Sequence, residues 1–198
     1  MKKLIVILIV TILVFSLAAC NAFNSNTISI VELTERENAI LSTTSEKSFV
    51  FEFNVDSEFD EISVWIEKYE FGRLVDEKLN RISTQVEKNG SIIFTNSINN
   101  NENQNTFNIG IGSNGGAVSS HGFDKNAIGL DKMSSVWGNF QGKKTFDEEQ
   151  LVLANISYSS NENSTSSVST SFFEDVEGRM IDLKEYDVSY LLKVEFIK

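Results

Sequence analysis

Val188-Ser189-Tyr190-Leu191-Leu192-Lys193-Val194-Glu195-Phe196 places an apolar residue at every even position. A period of two is the mark of a β-strand with one buried face, because successive side chains point to opposite sides of the pleat. The same period recurs upstream. Phe49, Phe51, Phe53 and Val55 alternate with Val50, Glu52 and Asn54, and Ile62, Val64 and Ile66 alternate with Ser63, Trp65 and Glu67. Phe107, Ile109 and Ile111 form another short series. Leu151–Tyr158 and Val168–Phe173 also read as strands, as do Ile28–Leu33 and a short stretch near Ala39–Ser42. Lys88-Asn89-Gly90, between Arg81–Glu87 and Ser91–Ile98, predicts a hairpin with a type I′ turn, since Asn-Gly accepts positive φ. No stretch after residue 20 carries a helical period. About eight to ten strands with turn signals between them predict an all-β fold, an antiparallel β-sandwich of Ig-like or jelly-roll kind.

Composition narrows the function. The chain has 198 residues, one cysteine, one histidine and no proline. One cysteine excludes an intramolecular disulfide and a thiolate zinc cage, and one histidine excludes any site needing two. Seventeen basic residues against 28 acidic give a net charge of −11. Nucleic acid is therefore not an expected partner, because affinity for it comes from cations that displace counterions. No cofactor is implied.

The N-terminus carries an address. Lys2 and Lys3 precede an apolar run, Leu4–Leu17, broken only by Thr11 and Ser16. As a helix that run spans about 21 Å, short of the ~30 Å hydrocarbon core, and so reads as a secretory leader. Leu17-Ala18-Ala19-Cys20 follows. This segment resembles the lipobox of bacterial lipoproteins. The resemblance implies that residues 1–19 are a signal peptide and that Cys20 is lipidated and becomes the first mature residue. Residues 20–27 would then form a short tether, and 28–198 a single β-sandwich domain. The expected location is the extracytoplasmic face of the cell membrane, with the membrane reached through lipid on Cys20.

Several motifs invite chemistry. Gly110-Ile111-Gly112-Ser113-Asn114-Gly115 matches G-x-G-x-x-G, but Gly116–Gly122 is a poor helix start, so the glycines read as a tight strand end. Ser119, Ser120, His121 and Asp124 contain the residue types of a hydrolase triad, too close in sequence to reach its geometry. Asp56, Glu58 and Asp60 fall at calcium-loop spacing with Glu61 where an EF-hand requires Gly, so they read as a solvated acidic loop and are at most weak metal candidates. Asp147-Glu148-Glu149 and Glu174, Asp175 and Glu177 supply further carboxylates with nothing to set their separation. No catalytic residue is assigned.

Aromatic residues are more informative. With Ile62, Val64 and Ile66 facing inward, Trp65, Tyr69 and Phe71 project from the opposite face. Left bare, such a strip stacks on a sugar or anchors a protein. Covered, it is core, and the weakly periodic 114–149 segment is the expected cover, through Phe123, Trp137 or Phe140. Trp65, Tyr69, Phe71 and Trp137 are accordingly the candidate binding residues. The expected function is a non-catalytic envelope binding module for a glycan, peptide or protein. The alternatives are a structural or assembly component of an envelope complex, and a carboxylate-based envelope hydrolase.

Overall fold

The computed structural model describes residues 26–99, 104–146, 150–161 and 166–198. Two antiparallel sheets pack face to face. The six-stranded sheet holds β1 (Thr27–Ile30), β2 (Lys47–Asn54), β5 (Asn89–Asn99), β6 (Gln104–Ser113), β7 (Gly116–Asp124) and β9 (Lys143–Thr145), in the order β7-β6-β5-β2-β1-β9. The five-stranded sheet holds β3 (Glu61–Glu70), β4 (Arg73–Gln85), β8 (Ser134–Asn139), β10 (Gln150–Ser159) and β11 (Val188–Ile197), in the order β4-β3-β11-β10-β8. The fold is an all-β sandwich, as the alternation requires.

The inward-facing residues are those that the period of two selects. Phe49, Phe51 and Phe53 of β2 meet Ile62, Val64 and Ile66 of β3, with Phe107 and Ile109 of β6 and Val194 and Phe196 of β11, in one buried cluster. Aromatic rings join the sheets directly. Phe107 lies 4.8 Å from Tyr190, and Phe53 lies 5.4 Å from Phe196 in an edge-on arrangement, both within the range where aromatic pairs attract.

Strand direction gives the sandwich two ends. Asn26 enters at one, where its side chain accepts from the Asp56 N–H, and its carbonyl accepts from the Phe146 N–H. Ile197 pairs with Glu61 at this entry end, so the C-terminus lies there too. The far end carries Lys47, the β3–β4 turn and the last residues of β7 and β10.

Three local expectations are corrected, and the weakly periodic 114–149 segment resolves into elements. The Lys88-Asn89-Gly90 hairpin does not form: β4 and β5 lie in different sheets, and Asn89 and Gly90 are the first residues of β5, opposite Asn54 and Phe53. Gly90 is required for space, since a Cβ there would run into the Gly112 carbonyl and the Phe53 ring. The positive-φ turns are instead Phe71-Gly72 (49° and 72°) and Asn114-Gly115 (51° and 73°), each a two-residue link between paired strands. Ala39–Ser42 is not a strand but the end of helix α1 (Glu35–Ser42). Thr34 caps it, accepting from the Glu37 N–H while Glu37 accepts from the Thr34 N–H. That reciprocal capping nucleates a helix with no buried side chain and hence no apolar period. Val168–Phe173 is likewise not a strand: Thr170–Phe173 is a 3₁₀ turn leading to the short helix α2 (Val176–Arg179). Finally, part of 114–149 is regular, because β7 spans Gly116–Asp124 despite its glycines and serines.

Candidate functional site

Trp65 and Tyr69 point away from the sandwich interior, as expected, but neither is bare: they are only 3% and 7% exposed. The cover is not the 114–149 segment. A bulge in β4 sets both Asn80 and Arg81 against Trp65 alone, since Leu79 pairs with Ile66 and Ile82 with Val64. The Arg81 guanidinium then lies 5.1 Å from the Trp65 ring, and Lys193 Nζ lies 5.7 Å from it. Between the two aromatics, Glu67 accepts from Tyr69 Oη at 2.5 Å and pairs with Lys193 at 3.0 Å. Burial and the Glu67 carboxylate push the Tyr69 phenol upward. The 166–187 connection covers part of this face: Gly138, opposite Asn155 on β10, faces the Phe173 ring, and Phe172, Phe173, Leu183 and Tyr186 are buried. Of the expected strip only Phe71 stays open, 62% exposed in its turn. Phe140 stacks on Phe51 at 5.6 Å inside the sandwich instead.

Trp137 has a different setting. It lies on β8, an edge strand paired only to β10, and is 52% exposed. A groove of about 450 Å³ runs beside it between the sheets, walled by Ile30, Leu33, Phe49, Val168 and Phe173. Lys47 Nζ sits 5.1 Å from the Trp137 ring and 5.7 Å from the Tyr158 ring. Burial pushes the Lys47 ammonium down, with Glu46 opposing.

From Lys47 a polar band crosses the far end of the interior. Tyr158 Oη donates to Asn96 at 3.3 Å, and Asn96 donates to Asn105 and to the Thr106 carbonyl. Tyr190 Oη donates to Asp124 at 2.8 Å, and Lys68 pairs with Asp124 at 2.7 Å and with Glu70 at 2.9 Å. Burial disfavours the Asp124 carboxylate, but Lys68 and Tyr190 outweigh it and hold the group below the usual range. Burial also opposes charge on Lys68, whose two carboxylate partners raise it overall. Buried polar groups on facing sheets are costly unless each finds a partner. One here does not complete a bond: Asn105 Nδ2 has no acceptor among the described residues, although its amide lies beside the Tyr158 and Tyr190 hydroxyls.

A match to the YgaN domain covers residues 27–196. The chain belongs to the YgaN domain family. No curated protein and no solved structure is detectably similar to it. The YgaN domain runs from the first residue of β1 to the penultimate residue of β11, so both sheets and the polar band belong to it.

Elsewhere in the YgaN domain the other candidates stay apart. Ser120 donates to Asn80, while His121 shares a hydrogen bond with Asn108 at 2.7 Å. Neighbours on one strand point to opposite faces, so Ser120 and His121 do not form a catalytic pair. Asp56 accepts from the Glu58 N–H, and the Glu58 carboxylate binds Lys198 at 2.9 Å. Among the described residues no group of three His, Cys, Asp or Glu is placed to hold a metal. Asp175 accepts from the Gly178 N–H and caps α2. Residues 147–149, and Cys20 with its leader, lie outside the described residues. Lys47, Lys68, Asn96 and Asn105 are not among the residues expected from the sequence. The available signal was a charged or amide residue at the inward phase of an otherwise apolar alternation, as Lys68 is after Ile62, Val64 and Ile66.

Proposed function

We propose that the chain is a lipid-anchored envelope lipoprotein whose YgaN domain is a non-catalytic binding module. The anchor follows from the Leu17–Cys20 lipobox. It is supported by the position of Thr27, buried and paired to β2 and β9, which makes residues 20–26 a short link between lipid and fold. The entry end would then face the membrane, and the far end the envelope. The observation that carries the binding reading is Trp137, half open at the rim of a groove and stacked over a buried lysine. Exposed aromatics beside a concave, partly apolar wall are what ligand sites are made of. An assembly role has its own support in Phe71, Leu74 and Val75, exposed apolar residues together at the β3–β4 turn of the far end.

Metabolic labelling with a palmitate analogue, followed by membrane fractionation, tests the anchor. Wild type should label and sediment with membranes. Cys20→Ala should not label. An unlabelled wild type, or label persisting on Cys20→Ala, would overturn the reading. Titration with a soluble peptidoglycan digest tests the module through Trp137 emission, with Trp137→Phe as the control. Emission that never responds counts against the groove as the binding surface.

A further inference from the structure

Lys47 is the first residue of β2, is 8% exposed, and its ammonium makes no hydrogen bond among the described residues. Its contacts are two ring faces and a Glu46 oxygen 3.9 Å away, beyond hydrogen-bond reach. An ammonium carries three N–H donors. The Lys47 ammonium is therefore short of acceptors among the described residues.

Lys47 lines a cavity of about 160 Å³ together with Glu46, Asp131, Ser135, Leu130 and Met133. That is room for about five waters at ~30 Å³ each, or for one small organic molecule. The cavity has a charged pattern. Its lining includes Lys47 and Ser135, whose ammonium and hydroxyl ask for a carboxylate. Glu46 and Asp131 are in the same lining, where they would repel a simple anion but would receive a cation.

We propose that this cavity binds a small zwitterion of the α-amino acid type, its carboxylate received by Lys47 and Ser135 and its ammonium by Glu46 and Asp131. This cavity shares no lining residue with the Trp137 groove, so the proposal goes beyond the binding-module reading, which the peptidoglycan titration tests on its own. It does not depend on the anchor, which palmitate labelling tests separately.

The test is calorimetric titration of the full chain, purified in detergent, with alanine, serine, N-acetylalanine and alanine amide. Alanine or serine should bind saturably, and each capped compound should bind at least about tenfold more weakly, the usual penalty for losing a charge-assisted contact. Lys47→Met should abolish binding while circular dichroism and melting stay at or above wild type, since an apolar chain replaces a buried ammonium. Asp131→Asn, an exposed substitution with no folding consequence, should weaken alanine and leave N-acetylalanine unchanged or improved. Equal affinity for alanine and N-acetylalanine would overturn the zwitterion assignment. No saturable binding by wild type up to about 10 mM, weaker than any useful affinity, would overturn the site altogether.

Discussion

Two buried residues test the interior from opposite directions. Phe51 is fully buried, packed between Phe49 and Phe140. Phe51→Ala should therefore cost about 3–5 kcal/mol in chemical denaturation, the range for emptying a packed aromatic site. Asp124 is held by Lys68, Tyr190 and the Asn126 N–H. Asp124→Asn leaves the Lys68 ammonium with only the half-exposed Glu70, so the loss should be about 3 kcal/mol, the low end for breaking a buried pair. Replacing Lys68 by Met as well should recover part of it, because the uncompensated charge is then gone. The pH dependence has a definite sign. The folded Asp124 carboxyl titrates below its unfolded counterpart. Its contribution is full above the ordinary carboxylate pKa and disappears as pH falls through the lower folded value. Asp124→Asn should remove that part of the acid sensitivity in melts between about pH 5 and 2.

At the scale of elements, glycine distinguishes crowding from backbone strain. Gly90→Ala should destabilise by about 1–3 kcal/mol because its new methyl meets the Phe53 ring and the Gly112 carbonyl. Gly115→Ala meets no neighbour, and its cost of about 1–2 kcal/mol arises only from holding a Cβ at φ 73°. Thermal melts of the two variants check both. Glycine also shows what was legible before the fold was known. The strands whose inner face is mostly apolar, β2, β3 and β11, could be read directly, because a period of two survives any choice of partner strand. Pairing could not. Asn89-Gly90 carries the hairpin signal, yet the clash that demands Gly90 comes from β2 and β6, distant in sequence. β7 was illegible for a related reason: as an edge strand with few large side chains, it has little apolar face to alternate. The site was partly legible. Trp137 stood out as a large aromatic, whereas Lys47 and Asn96 read as ordinary polar positions until opposing sheets enclosed them.

At the scale of the whole molecule, alkali should weaken the fold cooperatively. Burial keeps the Tyr158 and Tyr190 phenols protonated, and the neighbouring Asp124 charge reinforces this for Tyr190. In the unfolded chain both ionise near pH 10. Their contribution is thus complete below about pH 10 and falls above it, by up to ~1.4 kcal/mol per pH unit for each tyrosine. Urea midpoints taken from pH 8 to 11 should be flat at first and then drop, and Tyr158→Phe should soften the drop. The two sheets are also joined outside the hydrophobic core. At the β4 bulge Asn80, at φ 50°, donates to the Phe107 carbonyl of β6 and accepts from Ser120 of β7. On that flank the edge strands are thereby clasped together, while the Trp137 flank keeps its groove.

The placement of β1 has a mechanical consequence. If the chain hangs from lipid at Cys20 and is held by a partner at its far end, tension enters through Thr27 and runs along the strand axis. β1 is bonded on both flanks, to β2 and to β9. Loaded that way, its ladder bonds share the force in parallel and must yield together rather than peel one by one. Pulling from the N-terminus should then meet a sharp rupture peak in single-molecule force spectroscopy.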